Sequence, residues 1–313
     1  MKFGIFTGPQ NVTWSEIRKV WELADRSGFD SGFVWDHLIP LFGDVEQDQL
    51  EGWTVLSALA MVTEKLEVGH LVLANTFRHP AVLSKMATTL DHATGGRLVL
   101  GIGTGYFPAE HESYGLDLPS KKDRAEMLSE SLEIIRGMWS PGRFTFEGNY
   151  YTVKDASAQP APVQSPRPPI LLGGAGERLM RNVARYADRW DLPDGAAGVT
   201  PDHFRMKWER VRALCDEIDR DASEIETSTS LVPIIGDDAD VARRKGELQA
   251  RIGWDDEQIE RHTLAGTPES VTEQIHDWRE AGVDQLLLSL WPGFNYGEPE
   301  AFAETVMQQF HAS

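Results

Sequence analysis

The chain has 313 residues, 41% of them hydrophobic, and a formal net charge of −19 at pH 7. This amount of apolar side chain is enough for a large buried core, which excludes a disordered chain. An acidic chain repels phosphate backbones and anionic lipids, so we expect neither a nucleic acid nor a membrane as a partner. The expected partner is a small-molecule substrate.

The single cysteine, Cys215, cannot form an intramolecular disulfide, and it lies on the apolar face of a predicted helix. Residues 1–7 predict a strand and lack the apolar segment and cleavage site of a signal peptide. No stretch of the sequence has the length and apolar character of a transmembrane helix. These features predict a cytoplasmic protein.

Strand and helix patterns alternate along the first half of the chain. In order, the predicted elements are strand 3–7, helix 14–27, strand 31–36, helix 53–62, strand 66–74, helix 80–94, strand 98–102 and a helix from about 124 to 139. Most of the strand segments are nearly continuous apolar runs, which is typical of parallel strands buried on both faces.

The alternation then breaks once and resumes. Residues 144–153 predict a β-hairpin, and a proline-rich extended segment follows, so we interpret residues 140–168 as an insertion. The later predicted elements are strand 170–172, helix 177–186, strand 189–192, a helix to about 219, strand 227–235, helix 241–252, a helix opening at 267–270, strand 284–290 and a helix from about 299 to 310.

Eight strands with intervening helices fit either a closed parallel barrel or an open doubly wound sheet, and the count of eight favours the barrel. The sequence therefore predicts an α/β fold, a single (β/α)8 TIM-barrel domain over residues 1–313. In such a barrel, chemistry lies at the carboxyl ends of the strands. Asp36 and His37 follow the second strand and are the predicted catalytic residues, because a histidine there can exchange protons near neutral pH. The structural alternative is a histidine that only hydrogen-bonds a loop.

Two glycine-rich turns also follow predicted strands. Gly173-Gly-Ala-Gly176 opens a helix, and this suits a phosphate because backbone N–H groups and the helix dipole face the anion. Gly101-Ile-Gly-Thr-Gly105 resembles a dinucleotide motif only loosely, since Phe107 and Pro108 stand where its third glycine belongs. These glycines instead predict a flat ring lying against the backbone. No metal-binding signature is present, so no metal is expected.

Several sequence blocks occur in a fixed order along the chain. They are Ser27-Gly-Phe-Asp-Ser31, Val34-Trp-Asp-His37, Thr76-Phe-Arg-His-Pro80, Leu90-Asp-His-Ala-Thr-Gly-Gly-Arg97, Leu100-Gly-Ile-Gly-Thr-Gly105, Phe146-Glu-Gly-Asn-Tyr-Tyr151 and Ile170-Leu-Leu-Gly-Gly-Ala-Gly-Glu177. Together they resemble the luciferase-like flavin oxidoreductase superfamily, most closely its branch that uses the deazaflavin coenzyme F420.

The resemblance implies hydride transfer between coenzyme F420 and a small organic substrate. It implies that Asp36 and His37 lie beside the deazaflavin ring, with His37 exchanging the proton. It also implies a bulge near Leu71-Val72 that contains a non-prolyl cis peptide and presses on the back of the ring. The other cofactor-binding residues implied by matching position are Ala74, Gly105, Tyr106, Gly173, Gly174, Ala175 and Gly176. Relatives are often dimers, so the resemblance also implies a homodimer, which the residues themselves do not determine.

Three positions depart from known members. Tyr106 replaces an acidic residue of the sugar-phosphate dehydrogenase of this branch, and Leu41 replaces its tryptophan. No match to its cationic phosphate-binding residues was found, which argues against glucose 6-phosphate as substrate. Thr104 stands where FMN-using relatives tend to have arginine, which favours F420. Two alternatives stay open: an FMN-dependent two-component monooxygenase, and a non-catalytic flavin-binding barrel that has no need of His37.

Overall fold

The computed structural model describes residues 1–193 and 198–311. Eight parallel strands form a closed barrel. In chain order the strands of the protein are Lys2–Thr7 (β1), Ser31–Val34 (β2), Glu67–His70 (β3), Leu73–Ala74 (β4), Leu98–Gly103 (β5), Arg143–Glu147 (β6), Thr152–Ser157 (β7), Ile170–Gly173 (β8), Arg189–Asp191 (β9), Glu226–Ile235 (β10), Thr263–Gly266 (β11) and Gln285–Leu290 (β12).

The barrel strands are β1, β2, β3, β5, β8, β9, β10 and β12, paired in that order, and β12 pairs with β1 to close the ring. The predicted (β/α)8 barrel is therefore confirmed. β4 continues the line of β3 beside β5, and β11 pairs with the carboxyl half of β10. The predicted hairpin is present as the antiparallel pair β6 and β7.

Helices surround the barrel. They are Trp14–Ser27 (α1), Gly52–Ala60 (α2), Pro80–Thr94 (α3), Pro108–Tyr114 (α4), Lys121–Trp139 (α5), Glu177–Tyr186 (α6), Pro201–Asp216 (α7), Asp238–Ile252 (α8), Asp256–His262 (α9), Pro268–Glu280 (α10), Glu298–Phe302 (α11) and Gln308–His311 (α12). A short 3-10 helix covers Ala222–Glu224, and a π-helical turn, Ala303–Met307, joins α11 to α12. The bounds of α1, α3 and α6 are as predicted, whereas α4, α9 and β11 were not predicted.

Local signals explain why α1 has the predicted limits. Thr13 and Glu16 form a capping box at its start, which satisfies two backbone N–H groups that have no partner inside the helix. Gly28 ends it with φ 86°, a left-handed conformation that glycine adopts without steric cost. Between these limits, Val20 and Trp21 are among the buried residues that pack α1 on the sheet.

The amino end of the barrel interior is closed by ion pairs. Arg189 on β9 donates two hydrogen bonds, of 2.8 and 2.9 Å, to the carboxylate of Glu67 on β3. The Arg189 Nε atom lies 3.6 Å from Glu226, which also pairs with Lys2 at 2.8 Å. Burial lowers the pKa of Arg189, but its hydrogen bonds to Glu67 and the nearby carboxylates outweigh that effect and raise it.

A separate apolar layer lies above these ion pairs. It consists of four side chains, each at most 1% exposed, from β2, β5, β8 and β12: Phe33, Val99, Leu171 and Leu287. Phe6, Leu71 and Val72 pack against this layer. Because the lower barrel is filled, we expect a ligand to reach only the carboxyl end of the strands.

In the part of the chain that the structure describes, no helix combines the length and the apolar character needed to cross a bilayer. Within the same residues, no three histidine, cysteine or carboxylate side chains come together as a metal site.

Candidate functional site

His37 lies just beyond the carboxyl end of β2, and a buried carboxylate holds its ring. Its Nδ1 atom is 3.0 Å from Glu110 Oε2, which also accepts a hydrogen bond of 3.1 Å from the Leu38 N–H. A carboxylate can only accept, so Nδ1 carries the hydrogen and Nε2 is left with a lone pair in the neutral ring. Among the described residues Nε2 has no hydrogen-bond partner, so this nitrogen can exchange a proton with a ligand.

Glu110 is a residue of this candidate site that the sequence patterns did not indicate. It lies on α4, is 1% exposed, and is separated from His37 by 73 positions in the chain. Pro108 in the first turn and Gly115 after the last residue are a helix signature that could have revealed α4. Nothing in a single sequence connects the glutamate with the histidine, because helix patterning reports only which face is buried.

Aromatic rings surround the imidazole of His37. The ring centroids of Trp35, Tyr106 and Phe107 lie 6.4, 5.6 and 6.1 Å from it, all with edge-to-face geometry. His37 is only 8% exposed, whereas Tyr106 is 61% exposed and forms the outer side. This low-polarity enclosure strengthens the hydrogen bond between His37 and Glu110.

Asp36, the second predicted catalytic residue, has both carboxylate oxygens occupied. Arg78 donates to Oδ2 at 2.6 Å and to Oδ1 at 2.9 Å, and the Ala74 N–H donates to Oδ2 at 3.0 Å. Arg78 also pairs with Glu51 at 2.7 Å. Burial lowers the pKa of Arg78, but the hydrogen bonds and charges of Asp36 and Glu51 more than offset this and raise it. In this arrangement Asp36 fixes the end of the third barrel strand.

A group of residues that we call the cradle lies at the same end of the barrel and consists of Leu71, Val72, Ala74, Gly103, Gly105 and Gly173. The peptide between Leu71 and Val72 is cis, as the resemblance implied, and it breaks the predicted continuous strand into β3 and β4. The Val72 side chain lies close to two glycines: a Cβ at Gly103 would be 2.6 Å from Val72 Cγ2, and one at Gly173 would be 3.0 Å from Cγ1. Gly105 has φ 72°, and a Cβ there would be 2.5 Å from the Thr76 hydroxyl oxygen and 3.6 Å from the Ala74 Cβ. At these three glycines the backbone packs directly against neighbouring side chains.

The glycine turn after β8 leads to a helix end that no side chain caps. Trp190 Nε1 donates to the Gly174 carbonyl at 2.9 Å, and the Gly174 N–H donates to the Asp191 carbonyl at 3.1 Å. The N-cap of α6 is Gly176, with no side-chain cap and with open space where a Cβ would point. By contrast, side chains cap α5 and α7. The free N–H groups of α6 fit a phosphate.

His70, at the end of β3, is a second buried histidine near the site. Its ring stacks on Trp53 with centroids 5.4 Å apart and an interplanar angle of 11°. Its Nε2 atom is buried and has no hydrogen-bond partner among the described residues. Burial lowers the pKa of His70 to about 4, so the ring is neutral at neutral pH and does not act as an acid there.

The structure thus brings the predicted site residues to one end of the barrel in three groups. The ring of His37 contacts Tyr106, and the Ala74 N–H donates a hydrogen bond to the Asp36 carboxylate. The cradle contains Leu71, Val72, Ala74, Gly105 and Gly173, and the turn to α6 contains Gly174, Ala175 and Gly176. A flat ring on the cradle with a phosphate at α6 is the ligand shape that these residues fit. Their assignment to a cofactor stays a prediction.

Two clefts lie outside the barrel and contain none of these residues. One, of about 360 Å³, runs between α5, α6 and α7 and is lined by Arg178, Arg181 and Glu217, among others. The other, of about 370 Å³, lies between the end of α1 and the last helices. Neither combines a buried titratable group with a glycine-lined surface, so we place the functional site at the barrel end.

Comparison with known proteins gives one family. The family model described as luciferase-like monooxygenase matches residues 1–253. An F420-dependent glucose-6-phosphate dehydrogenase from Microbacterium testaceum (strain StLB037) is 36% identical over 197 residues, which are 62% of this chain and 57% of that relative. The match therefore spans less than two thirds of that protein's length. Pyrimidine monooxygenase RutA from Escherichia coli (strain K12) is 27% identical over 299 residues, covering 87% of this chain and 76% of that one.

Solved structures share the same fold. A coenzyme F420-dependent tetrahydromethanopterin reductase from Methanopyrus kandleri has a TM-score of 0.83 at 21% identity and covers 99% of each chain. An F420-dependent secondary alcohol dehydrogenase in complex with an F420-acetone adduct has a TM-score of 0.82 at 21% identity and covers 98% of each chain. A long-chain alkane monooxygenase, LadA, has a TM-score of 0.83 at 17% identity, covering 100% of this chain and 91% of that one. At these identities the similarity establishes the barrel fold.

Proposed function

The chain belongs to the luciferase-like monooxygenase family, and we propose that it is an oxidoreductase that transfers a hydride between coenzyme F420 and a small organic substrate. The observation that carries this proposal is the hydrogen-bond arrangement of the His37 ring. Its Nδ1 atom is held by the buried Glu110, and its Nε2 atom is free to exchange a proton. Hydride transfer to a carbonyl or from an alcohol needs one such proton exchange.

The proposed cofactor site consists of the cradle and the amino end of α6. Val72, Gly103 and Gly173 would support the deazaflavin ring, because a Cβ at either glycine would crowd the Val72 methyl groups. The uncapped N–H groups after Gly176 would hold the phosphate of the side chain. When bound, the reduced deazaflavin supplies a hydride and is left in its oxidised form.

Residues of this chain supply the rest of the reaction. In the reducing direction His37 enters as the imidazolium, paired with the Glu110 carboxylate, and gives the Nε2 proton to the substrate oxygen as the hydride reaches the carbon. The neutral imidazole remains, and its Nδ1 hydrogen stays on the bond to Glu110. In the oxidising direction the Nε2 lone pair removes the hydroxyl proton. Glu110 is a positioning residue, since it orients the ring and stabilises its charged form. Asp36 is proposed as a second positioning residue through Arg78 and Ala74.

The choice of F420 over FMN rests on the relatives and on Thr104. The relative with 36% identity is named as an F420-dependent enzyme. An FMN-dependent monooxygenase is the second candidate, because RutA proteins align with a larger share of this chain, up to 87%. Both cofactors carry a flat ring and a phosphate, so the cradle and α6 do not separate them.

A titration of the purified protein with F420 and, separately, with FMN tests the cofactor. We expect quenching of tryptophan fluorescence with clearly tighter binding of F420. Tighter binding of FMN, together with oxygen consumption by reduced FMN and an organic substrate, would refute the proposal and favour the monooxygenase.

The His37→Gln variant tests the proton exchange. We expect F420 affinity within about twofold of wild type and turnover lower by about 10²–10⁴-fold, the usual contribution of a general acid or base. His276→Gln, an exposed substitution on α10, serves as the matched control. Unchanged turnover in His37→Gln across a substrate panel would instead support a non-catalytic flavin-binding barrel.

A further inference from the structure

An aromatic wall lies next to His37 and is formed by three segments that are distant in sequence. We define it as Trp35, directly after β2, Phe42, in the loop that follows, and Trp291, directly after β12. The centroid distances are 6.5 Å between Trp35 and Phe42, 6.4 Å between Trp35 and Trp291, and 5.2 Å between Phe42 and Trp291. Gly8 allows this packing, because a Cβ there would lie 2.0 Å from the Trp35 ring.

The wall contains two hydrogen-bond donors without acceptors. The Nε1 atoms of Trp35 and Trp291 are both buried and have no hydrogen-bond partner among the described residues. The indole donors of three other tryptophans are satisfied: Trp21 by Thr7, Trp139 by Thr88 and Trp190 by Gly174. A buried donor without an acceptor costs free energy, and two of them lie on neighbouring rings of this wall, which makes the wall a candidate place for a ligand that supplies the acceptor.

One cation beside the site, Arg78, is already paired with Asp36 and Glu51. Its charge is therefore not left to hold a phosphorylated substrate.

From these observations we propose that the aromatic wall is the substrate-binding surface and that it selects an uncharged cyclic compound with a carbonyl or hydroxyl oxygen. This inference rests on the proposed function. Aromatic side chains offer a flat apolar surface for a ring, and the indole N–H groups offer donors for its oxygen. Because Trp35 contacts His37, an oxygen bound to the wall lies beside the imidazole that exchanges the proton.

For a cyclic ketone, the proposed reaction adds one hydride and one proton to the carbonyl group. The carbonyl carbon gains the hydride, the oxygen gains the proton from His37 Nε2, and the product is the secondary alcohol. The ketone is reduced by two electrons, and the reduced F420 that supplied them is oxidised. The reverse reaction takes the alcohol to the ketone with the same residues.

The test uses the full chain saturated with F420, and cyclohexanone, cyclohex-2-enone, cyclohexanol and glucose 6-phosphate as probes. Trp35→Phe and Trp291→Phe keep an aromatic ring but remove the N–H donor. Trp14→Phe, at a tryptophan that is 38% exposed on α1, is the matched control. We expect turnover of at least one cyclic probe, none of glucose 6-phosphate, and a KM raised about two- to tenfold in one or both wall variants, the usual effect of one lost hydrogen bond between neutral groups.

A second readout is independent of turnover. In ¹⁵N–¹H spectra of tryptophan-labelled protein loaded with F420, the Trp35 or Trp291 indole signal should move when a cyclic ketone is added, while the Trp14 signal stays fixed. Failure of F420 to bind would reject the proposed function itself. If F420 binds normally, three results would overturn the substrate inference alone. These are preferred turnover of glucose 6-phosphate, no response to any cyclic probe, and wall variants whose KM equals that of wild type.

Discussion

Replacing Glu110 with glutamine is the most direct perturbation of His37, because it exchanges one oxygen for an amide nitrogen at nearly constant volume. The wild-type carboxylate accepts from His37 Nδ1 at 3.0 Å and from the Leu38 N–H at 3.1 Å. If the amide oxygen takes the place of Oε2, it accepts from both His37 Nδ1 and the Leu38 N–H, so the hydrogen stays on Nδ1. What the substitution removes is the negative charge that stabilises the imidazolium.

The expected size of the effect follows from the lost charge on the hydrogen-bond acceptor. A hydrogen bond to a charged group contributes about 1.5–3 kcal/mol, and one between neutral groups about 0.5–1.5 kcal/mol. A difference of about 1–1.5 kcal/mol predicts a kcat/KM about tenfold lower. The fold should persist, because the side chain at position 110 is buried and keeps its shape.

Two measurements check this prediction. Steady-state kinetics with F420 and cyclohexanol give kcat/KM, and ¹⁵N spectra of histidine-labelled protein report how far the His37 ring is protonated. Glu112→Gln, an exposed change on the same helix, is the control and should behave as wild type. If Glu110→Gln kept the wild-type kcat/KM and the wild-type ¹⁵N shifts, Glu110 would have only a structural role and the reasoning would be wrong.

Three further predictions concern the residues around the site. Arg78→Ala leaves the Asp36 carboxylate buried without its ion-pair partner and should lower the free energy of unfolding by about 3–5 kcal/mol in urea denaturation; a loss below about 1 kcal/mol would contradict this. Burial lowers the pKa of His70 from its ordinary value of 6.5 to about 4 in the folded protein, so protons favour the unfolded chain between these values. Its contribution to the free energy of unfolding is present above about pH 6.5 and falls by about 3 kcal/mol towards pH 4. The free energy of unfolding, measured by urea denaturation, should therefore depend less on pH in His70→Phe than in wild type; an equal pH dependence would argue against this. Gly176→Asp caps α6 and should raise the free energy of unfolding by only about 0.2–0.5 kcal/mol, since glycine is itself a tolerable N-cap, while F420 affinity in a fluorescence titration falls at least about tenfold; unchanged affinity would place the phosphate elsewhere.

Particular elements show what a single sequence can predict in this fold. The helix over residues 80–94 was predicted with its observed bounds, because proline at its start and glycine after its end act within a few residues. The strand predicted over residues 66–74 is interrupted at Leu71-Val72, which the apolar run did not reveal. The helix α4 was missed because its seven residues lie in a loop region without a clear apolar period.

The site also has features that the sequence predicts and features that it does not. The sequence placed His37 at a strand end and a glycine turn before α6, because alternation of strand and helix determines which residues reach the carboxyl end of a barrel. Only the tertiary structure brought Glu110 to His37, Arg78 to Asp36 and Trp291 to Trp35. The physical reason is that local patterns record propensity and burial, whereas a hydrogen bond or ring contact between distant residues depends on how the closed barrel sets its loops beside one another.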